Sequence, residues 1–463
     1  MGAALRHPEL AAERIVEAMS PPTDPTSLLN RPRLPRLLSG MPAHGPMTLD
    51  EHMGMHGPLP FSGRRERRGA GALIELVEQA GLLGHGGAAF PAARKLQAVA
   101  GADRSLLGGK PIVLANAAEG EPASRKDRVL LTGLPQLVLD GGVLAARAVG
   151  ADELILCVDG SAGPALKSAA RAIRERERVG GDGIKISIQR VPEGFVSGQE
   201  SALVNLCNGG PAKPTLTPPM PFQRGVRRRP TLINNAETLA HIALIARYGP
   251  EWFRELGTLQ HPGSALLTLS GAVAHPDVYE IEHGVPLQAL LDAAGGTSAP
   301  PRAALLGGYN GTWLDAERIP ELRLSKEQLV PHRASLGAGI VVLLSHEACP
   351  VAEVTRVTRW LAEQSAGQCG PCVNGLDAIA GALEELAGGG ATAGAQDRIA
   401  YWASLAKGRG ACRHPDGAVT FITSALDVFT QELADHAQYG PCEACSRPSE
   451  LPLPPSIELA AAA

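Results

Sequence analysis

The chain is poor in aromatic residues, in net charge and in long apolar runs, and each shortage removes a class of protein. Phe, Tyr and Trp make up 3% of the 463 residues, and the formal net charge is −4. Neither gives a general attraction to nucleic acid. Two basic runs, residues 64–68 and 224–229, have no aromatic platform or nucleic-acid motif beside them, so they read as partner-docking or solvated faces. No apolar stretch of about 18–20 residues occurs, so no transmembrane helix is expected. Residues 1–28 mix acidic and basic side chains without the apolar centre of a signal peptide. Gly109-Lys110 is followed by Pro111, where a phosphate-binding P-loop would need Ser or Thr. His44, His52 and His56 do not form an H-E-x-x-H zinc motif and read as surface residues.

What is present is a globular composition, 44% hydrophobic and 19% charged, in a chain long enough for several domains. Glycine and proline are abundant, at 54 and 38 residues, so turns should be many. The 8 cysteines are unevenly spread. Cys369, Cys372, Cys412, Cys442 and Cys445 crowd the last hundred residues, unlike the paired cysteines of a small secreted fold. A cytoplasmic, reducing location is expected.

Along the chain, residues 1–62 read as an arm on the body, with Thr48 and Glu51 spaced as a capping box. Residues 63–258 alternate strand and helix patterns. Strands are expected at 111–117, 153–159 and 184–191, and helices at 125–150 and 160–178. That order predicts a Rossmann-like parallel α/β sheet, with ligands at the carboxyl ends of its strands. Residues 264–345 form a small β-rich unit, with strands at 265–270 and 340–344 and a helix at 287–294. Residues 346–446 are mostly helical, at 351–366, 376–387, 395–408 and 423–436. Residues 447–463 read as a disordered tail.

Four segments carry chemistry. Gly84-His85-Gly86-Gly87-Ala88-Ala89-Phe90-Pro91 lacks side chains where backbone N–H groups would approach a phosphate, and Lys95 follows one helical turn on. Asn116-Ala117-Ala118-Glu119-Gly120-Glu121 places two carboxylates and an amide at a strand end. They suit either a ribityl or ribose chain or the first turn of a helix. Gly198-Gln199-Glu200 and Asn234-Asn235-Ala236-Glu237-Thr238 open further helices with polar groups. Cys369-x-x-Cys372, with Cys412 beyond it, has the spacing of an iron–sulfur or a zinc site. Cys442-x-x-Cys445 is open to three readings: a separate metal site, a redox-active dithiol or an unused tail. Cys157, Cys207 and Cys349 read as buried core thiols.

Together, and in order from about residue 70 to 445, these segments resemble the 51-kDa flavoprotein subunit of respiratory complex I. Its relatives in NAD-linked hydrogenases and formate dehydrogenases share them. The family's G-R-G-G-A-G-F-P-T-G-x-K falls on residues 84–95 and its N-A-D-E-x-E-P-G-T-x-K-D-R on 116–128. G-E-E-T-A-L falls on 198–203, N-N-V-E-T-L on 234–239 and S-C-G-x-C-x-P-C-R-x-G on 365–375. The resemblance implies an FMN domain, a ubiquitin-like β-grasp domain and a helical domain for one 4Fe–4S cluster. It places FMN against Gly84, Gly86, Gly87, Lys95, Asn116, Glu119, Gly198, Asn234, Asn235 and Thr238. Phe90, Glu121 and Glu200 would face a dinucleotide, with Glu119, Glu121 and Glu200 as the catalytic carboxylates. Cys369, Cys372 and Cys412 would be the metal ligands. A ferredoxin-like or membrane-reductase partner would accept the electrons, with no nucleic acid and no membrane insertion of the chain itself. Any membrane association, at the inner face, would come through that partner.

The departures matter as much. Ala118 replaces a carboxylate and Gln199 a glutamate. Met220 and Ala98 stand where aromatics would sandwich an adenine. Each lost stacking contact weakens binding by ~1–3 kcal/mol, by analogy with base stacking. NAD(H) binding is therefore left open. Ala366 replaces the first cluster cysteine, so three thiolates remain for a 3Fe–4S cluster, or for a 4Fe–4S cluster whose fourth iron takes Ser365, water, a partner residue or a folded-back Cys442 or Cys445.

Overall fold

A computed structural model describes residues 34–61, 69–102, 109–390 and 394–454. The first basic run and residues 1–28 lie outside them. The chain forms two compact units. One takes in the residues up to 120, 125–267 and 278–285, and the other 121–124, 268–277 and the residues from 286 onward.

In the first unit β1 (Ile112–Ala117), β2 (Glu153–Asp159), β3 (Lys185–Val191) and β4 (Thr231–Asn235) form a parallel sheet in the order β3-β2-β1-β4. The buried runs of β1 and β2 suit a sheet covered on both faces. The chain winds outward from β1 through β2 to β3, then returns to the other side of β1. The order therefore reverses between β1 and β4, and ligands of such sheets bind outside the carboxyl ends of the strands at such a point.

The single helix expected over 125–150 is two, Lys126–Gly133 and Pro135–Val149, bent by 97°. Pro135 begins the second helix and excludes Leu134 from the α region (φ −126°, ψ 49°). Gly141 allows close contact with the helix Ala236–Arg254: a Cβ there would stand 1.8 Å from the Leu239 carbonyl oxygen. No single helix among the described residues is long and apolar enough to cross a membrane.

The described part of the arm packs on this unit. Leu37 is fully buried. The buried Glu280 carboxylate accepts the N–H groups of Arg36, Leu37 and Leu38 at 2.8–3.0 Å. Thr48 and Glu51 form the capping box. His52 is buried, not on the surface, and Nε2 meets Asp140 Oδ2 at 2.8 Å.

A second, mixed sheet has the order β6-β5-β9-β7-β8. Its strands are β5 (Ser264–Gly271), β6 (Asp277–Glu282), β7 (Pro301–Leu306), β8 (Thr312–Asp315) and β9 (Ile340–Ser345). β5 and β9 pair in parallel, while β7 runs antiparallel to both β8 and β9. Helices Pro350–Glu363, Asp377–Ala387, Ala395–Ala406, His414–Val428 and Thr430–Tyr439 lie in the second unit. The helix expected over 423–436 is interrupted at Phe429, whose backbone leaves the helix as its ring packs on Trp313, centroids 5.2 Å apart. The expected disordered tail is partly ordered. Leu451 is buried, and Glu450 accepts the Ser345 N–H at 2.8 Å. Residues 455–463 lie outside the described set.

Candidate functional site

The carboxyl ends of β1 and β4 bring the predicted amides together. Parallel register sets Asn116 beside Asn235 and Ala115 beside Asn234. Asn116 Nδ2 donates to the Gly198 carbonyl at 2.9 Å, and the Ala118 N–H donates to Asn116 Oδ1 at 3.1 Å. The two turns touch: a Cβ on Gly198 would stand 2.7 Å from the Ala118 carbonyl oxygen, which explains glycine there. A small crevice beside them is lined by Ala118, Glu119, Asp159, Gly194, Ser197 and Gly198.

The glycine loop closes on itself through the Gly84 N–H and the Phe90 carbonyl, 2.9 Å apart. Gly87 (φ 103°) and Ala89 (φ 46°) turn it, and the helix Ala92–Ala100 follows. The His85 N–H donates to Thr238 Oγ1 at 2.9 Å, and a Cβ on Gly86 would lie 3.5 Å from that of Asn235. The loop is thus moored to the start of the helix after β4. Phe90 is half-exposed. Lys95 pairs with Glu200, and its Nζ donates to the Ile233 carbonyl at 3.2 Å. Two residues read separately, one for phosphate and one for dinucleotide, therefore share one place.

Beneath these groups lies an ionic network that the sequence did not reveal. Lys126 is buried, with Nζ 2.9 Å from both Asp127 Oδ1 and Glu237 Oε2, and 3.2 Å from Asn235 Oδ1. Burial opposes its charge, but the carboxylates of Asp127, Glu237 and Glu119 overcome this and hold the ammonium protonated. Asn235 Nδ2 donates to Asp127 Oδ2 at 2.7 Å, and the Glu237 N–H donates to Asn235 Oδ1 at 3.0 Å. Asn235 thus caps the next helix and braces the lysine. The buried Glu119 accepts the N–H groups of Asp127 and Arg128, both at 3.1 Å, capping helix Lys126–Gly133. The helix-start alternative for this segment holds for Glu119. Beside the network, burial, and then the charge of Lys126, lower the His85 imidazole to about 3; burial, and then His85, take His241 to about 3. The signal available in sequence was a Lys-Asp pair leading into apolar Val129-Leu130-Leu131.

Glu121 belongs to the second unit, where its Oε2 accepts the Tyr309 N–H at 3.1 Å. In that unit Cys372 is buried within a π-turn, Pro371–Leu376, a distortion common at functional sites. Its thiol is pushed up to about 12 by burial and by neighbouring Cys369 and Cys412, while a hydrogen bond with Ser365 works the other way. The three predicted thiols and the Ser365 hydroxyl therefore share one neighbourhood. His414 anchors the Cys412 loop, its Nε2 lying 2.8 Å from the Leu361 carbonyl oxygen on the helix that leads to Ser365.

An α/β unit with a glycine loop and amides at its switch point, in one chain with a thiol cluster among the helices of a second unit, defines a flavin- and iron–sulfur-type redox protein. Residues 77–244 match the Nuo51 FMN-binding domain, and residues 352–436 match the NADH-ubiquinone oxidoreductase-F iron-sulfur binding region. The F 2 subunit of NADH-quinone oxidoreductase in Rhizobium meliloti (strain 1021) is 31% identical, over 80% of this chain and 90% of its own length. The F subunit of the same enzyme in Streptomyces coelicolor is also 31% identical, over 79% and 82%. An NAD+-reducing [NiFe]-hydrogenase crystal structure superposes with a TM-score of 0.73 at 33% identity, covering 85% of this chain. The chain spans 66% of that hydrogenase chain's length. The chain belongs to the family of NADH-quinone oxidoreductase F subunits, and is an NADH-dehydrogenase-like oxidoreductase subunit with an FMN-binding domain and a 4Fe–4S binding region.

Proposed function

We propose that the chain takes reducing equivalents from a reduced nicotinamide and delivers electrons one at a time, through one cluster, to a ferredoxin-like or membrane-reductase partner. The observation that carries this is the convergence of Asn116, Asn234, Asn235, Lys95 and Glu200 on the switch point of the parallel sheet. The residues fit FMN. Asn234 is buried with its Nδ2 lacking a hydrogen-bond partner in the protein, the mark of a donor aimed at a ligand. FMN bound there supplies the exchange between a two-electron hydride donor and a one-electron acceptor.

In this reading Gly84, Gly86 and Gly87 keep side chains away from the phosphate, and Lys95 offers it a charge. Thr238 and Asn235 hold the loop in place, and Asn116, Asn234 and Gly198 would hold the flavin. Glu119 positions helix Lys126–Gly133, while Phe90 and Glu200 serve the dinucleotide. Cys369, Cys372 and Cys412 hold the cluster, with Ser365 the nearest candidate for the place that Ala366 vacates. Strand order β6-β5-β9-β7-β8, with helix Leu287–Ala293 between β6 and β7, supports a β-grasp domain. A cytoplasmic location, reached at a membrane only through a partner, goes with this reading.

One set of substitutions favours a second reading, an FMN and iron–sulfur electron-transfer or assembly module that no longer oxidises NADH. Met220 is exposed, Ala98 offers no ring and Ala118 no carboxylate. Anaerobic titration with NADH, followed at the flavin absorbance band, separates the two. Stoichiometric bleaching is the expected result. Flavin that ignores NADH yet is reduced by dithionite would establish the second reading.

A further inference from the structure

Four side chains that the sequence spreads from 349 to 445 meet at one point of the second unit, away from the predicted cluster cysteines in sequence. Cys349, His436, Cys442 and Cys445 bring one donor atom each within 4.8 Å of one another. Cys349 Sγ lies 3.4 Å from His436 Nε2 and 3.4 Å from Cys445 Sγ. Cys445 Sγ lies 3.7 Å from Cys442 Sγ and 3.9 Å from His436 Nε2. A tetrahedral ion with bonds of ~2.3 Å to sulfur and ~2.0 Å to nitrogen separates its ligand atoms by roughly 3.5–3.8 Å. We propose that these residues form a structural Cys3His site for one zinc-class divalent ion, separate from the cluster at Cys369, Cys372 and Cys412.

Each ligand is prepared by its own backbone. Cys349 is the N-cap of helix Pro350–Glu363, and its Sγ accepts the Ala352 N–H at 3.4 Å. A helix N-terminus and an N–H donor both favour thiolate over thiol. His436 turns Nε2 to the sulfurs while Nδ1 sits 3.4 Å from the Ala387 carbonyl oxygen. That outer hydrogen bond fixes the tautomer a ligand needs. Cys442 and Cys445 bracket a tight turn in which the Cys445 N–H donates to the Cys442 carbonyl at 3.1 Å. Gly440 (φ 82°) swings the chain from the His436 helix into that turn. A Cβ on Gly389 would stand 2.6 Å from the Gly440 Cα, so two turns meet backbone to backbone there.

Cys349, Cys442 and Cys445 fall outside the residues that match the iron–sulfur region, 352–436. Four protein ligands leave no open position, which marks a structural rather than a catalytic ion. Binding forms three metal–sulfur bonds and one metal–nitrogen bond and releases the thiol protons, with no change of oxidation state. The ion would fasten the terminal segment. Beyond Cys445, Arg447 donates to the Glu347 carbonyl at 3.2 Å, the Glu450 N–H donates to Glu353 at 2.7 Å, and Leu451 is buried. A groove lined by Ala352, Glu353, Arg356, Glu384 and Arg447 reaches Cys349 and Cys445, giving the ion a way in.

The test is metal analysis of the full-length holoprotein, grown with zinc and iron supplied, alongside Cys445→Ser and Cys372→Ser. About one zinc per chain is expected in the wild type and in Cys372→Ser. Cys445→Ser should lose it at least tenfold while iron and flavin stay at wild-type levels. Cobalt exchanged into the wild type should give the visible bands of a tetrahedral thiolate site. Should Cys445→Ser fail to fold, mercurial titration of wild-type thiols with a zinc-sensitive dye replaces it, and zinc should be released in step with thiol modification. Zinc-free wild-type protein, iron loss in place of zinc loss in Cys445→Ser, or a disulfide among Cys349, Cys442 and Cys445 in the intact mass would each overturn the assignment.

Discussion

The switch point of the parallel sheet and the thiol groups of the second unit are both clusters of polar side chains, but they are completed in opposite ways. At the switch point the protein supplies its own counter-charges. Lys126 sits among Asp127, Glu237 and Glu119, and Asn235 bridges them. In the second unit sulfur faces sulfur. Burial raises the thiols of Cys349 and Cys372, and neighbouring cysteines raise them further. The first site is built before its ligand arrives; on the proposed reading, the second is completed when a cation replaces its protons. Stability of the first should therefore answer to charge substitution and pH, and stability of the second to metal supply.

The largest effect should come from breaking the self-completed site. Lys126→Met leaves buried carboxylates without their cation and should cost about 3–5 kcal/mol in denaturant unfolding of the flavin-bearing unit. A loss below about 1 kcal/mol would mean that the network is not what holds the switch point together.

Acid should act next. His85 and His241 have folded pKa values of about 3, well below the free value of 6.5. The unfolded chain thus binds protons below pH 6.5 that the folded chain refuses. Their contribution to stability is complete above pH 6.5 and is lost as pH falls from there toward 3. The loss between pH 7.5 and 5.5 should be about 2–3 kcal/mol. Unfolding midpoints across that range test it, and His241→Leu should remove about half of the slope.

Gly141→Ala probes packing rather than charge. Its Cβ would meet the Leu239 carbonyl oxygen at 1.8 Å, so the helices must part at a cost of about 1–3 kcal/mol or more. An unchanged melting midpoint would contradict that crossing. The smallest effect is at the rim: Lys95→Ala, at a partly exposed ion pair, should weaken FMN retention roughly tenfold. Equal affinity in equilibrium dialysis would remove Lys95 from the phosphate site.

The same contrast explains what could be read from sequence. Apolar runs ending in polar turns announce β1 and β2, and glycines and paired asparagines announce the switch point, because strand ends and backbone approach demand those residue types locally. The burial of Lys126 was hidden, since Lys126-Asp127-Arg128 reads as a solvated first turn until Glu237 arrives from the helix after β4. The breaks at Leu134 and Phe429 depend on packing that a periodicity does not carry. The order of residues 447–454 depends on Ser345 and Glu353, about a hundred positions earlier. Cys349 looked like a core thiol for the same reason: its partners His436, Cys442 and Cys445 reach it only through tertiary structure.

Whether electrons cross from the switch point to Cys369, Cys372 and Cys412 is tested most directly by low-temperature EPR. The samples are wild type and Cys372→Ser, each reduced anaerobically with NADH. A reduced-cluster signal is expected in the wild type and its loss in Cys372→Ser, with bound flavin and its bleaching by NADH retained. A wild-type sample whose flavin bleaches without any cluster signal, or a variant that loses flavin and iron together while still folded, would contradict that route.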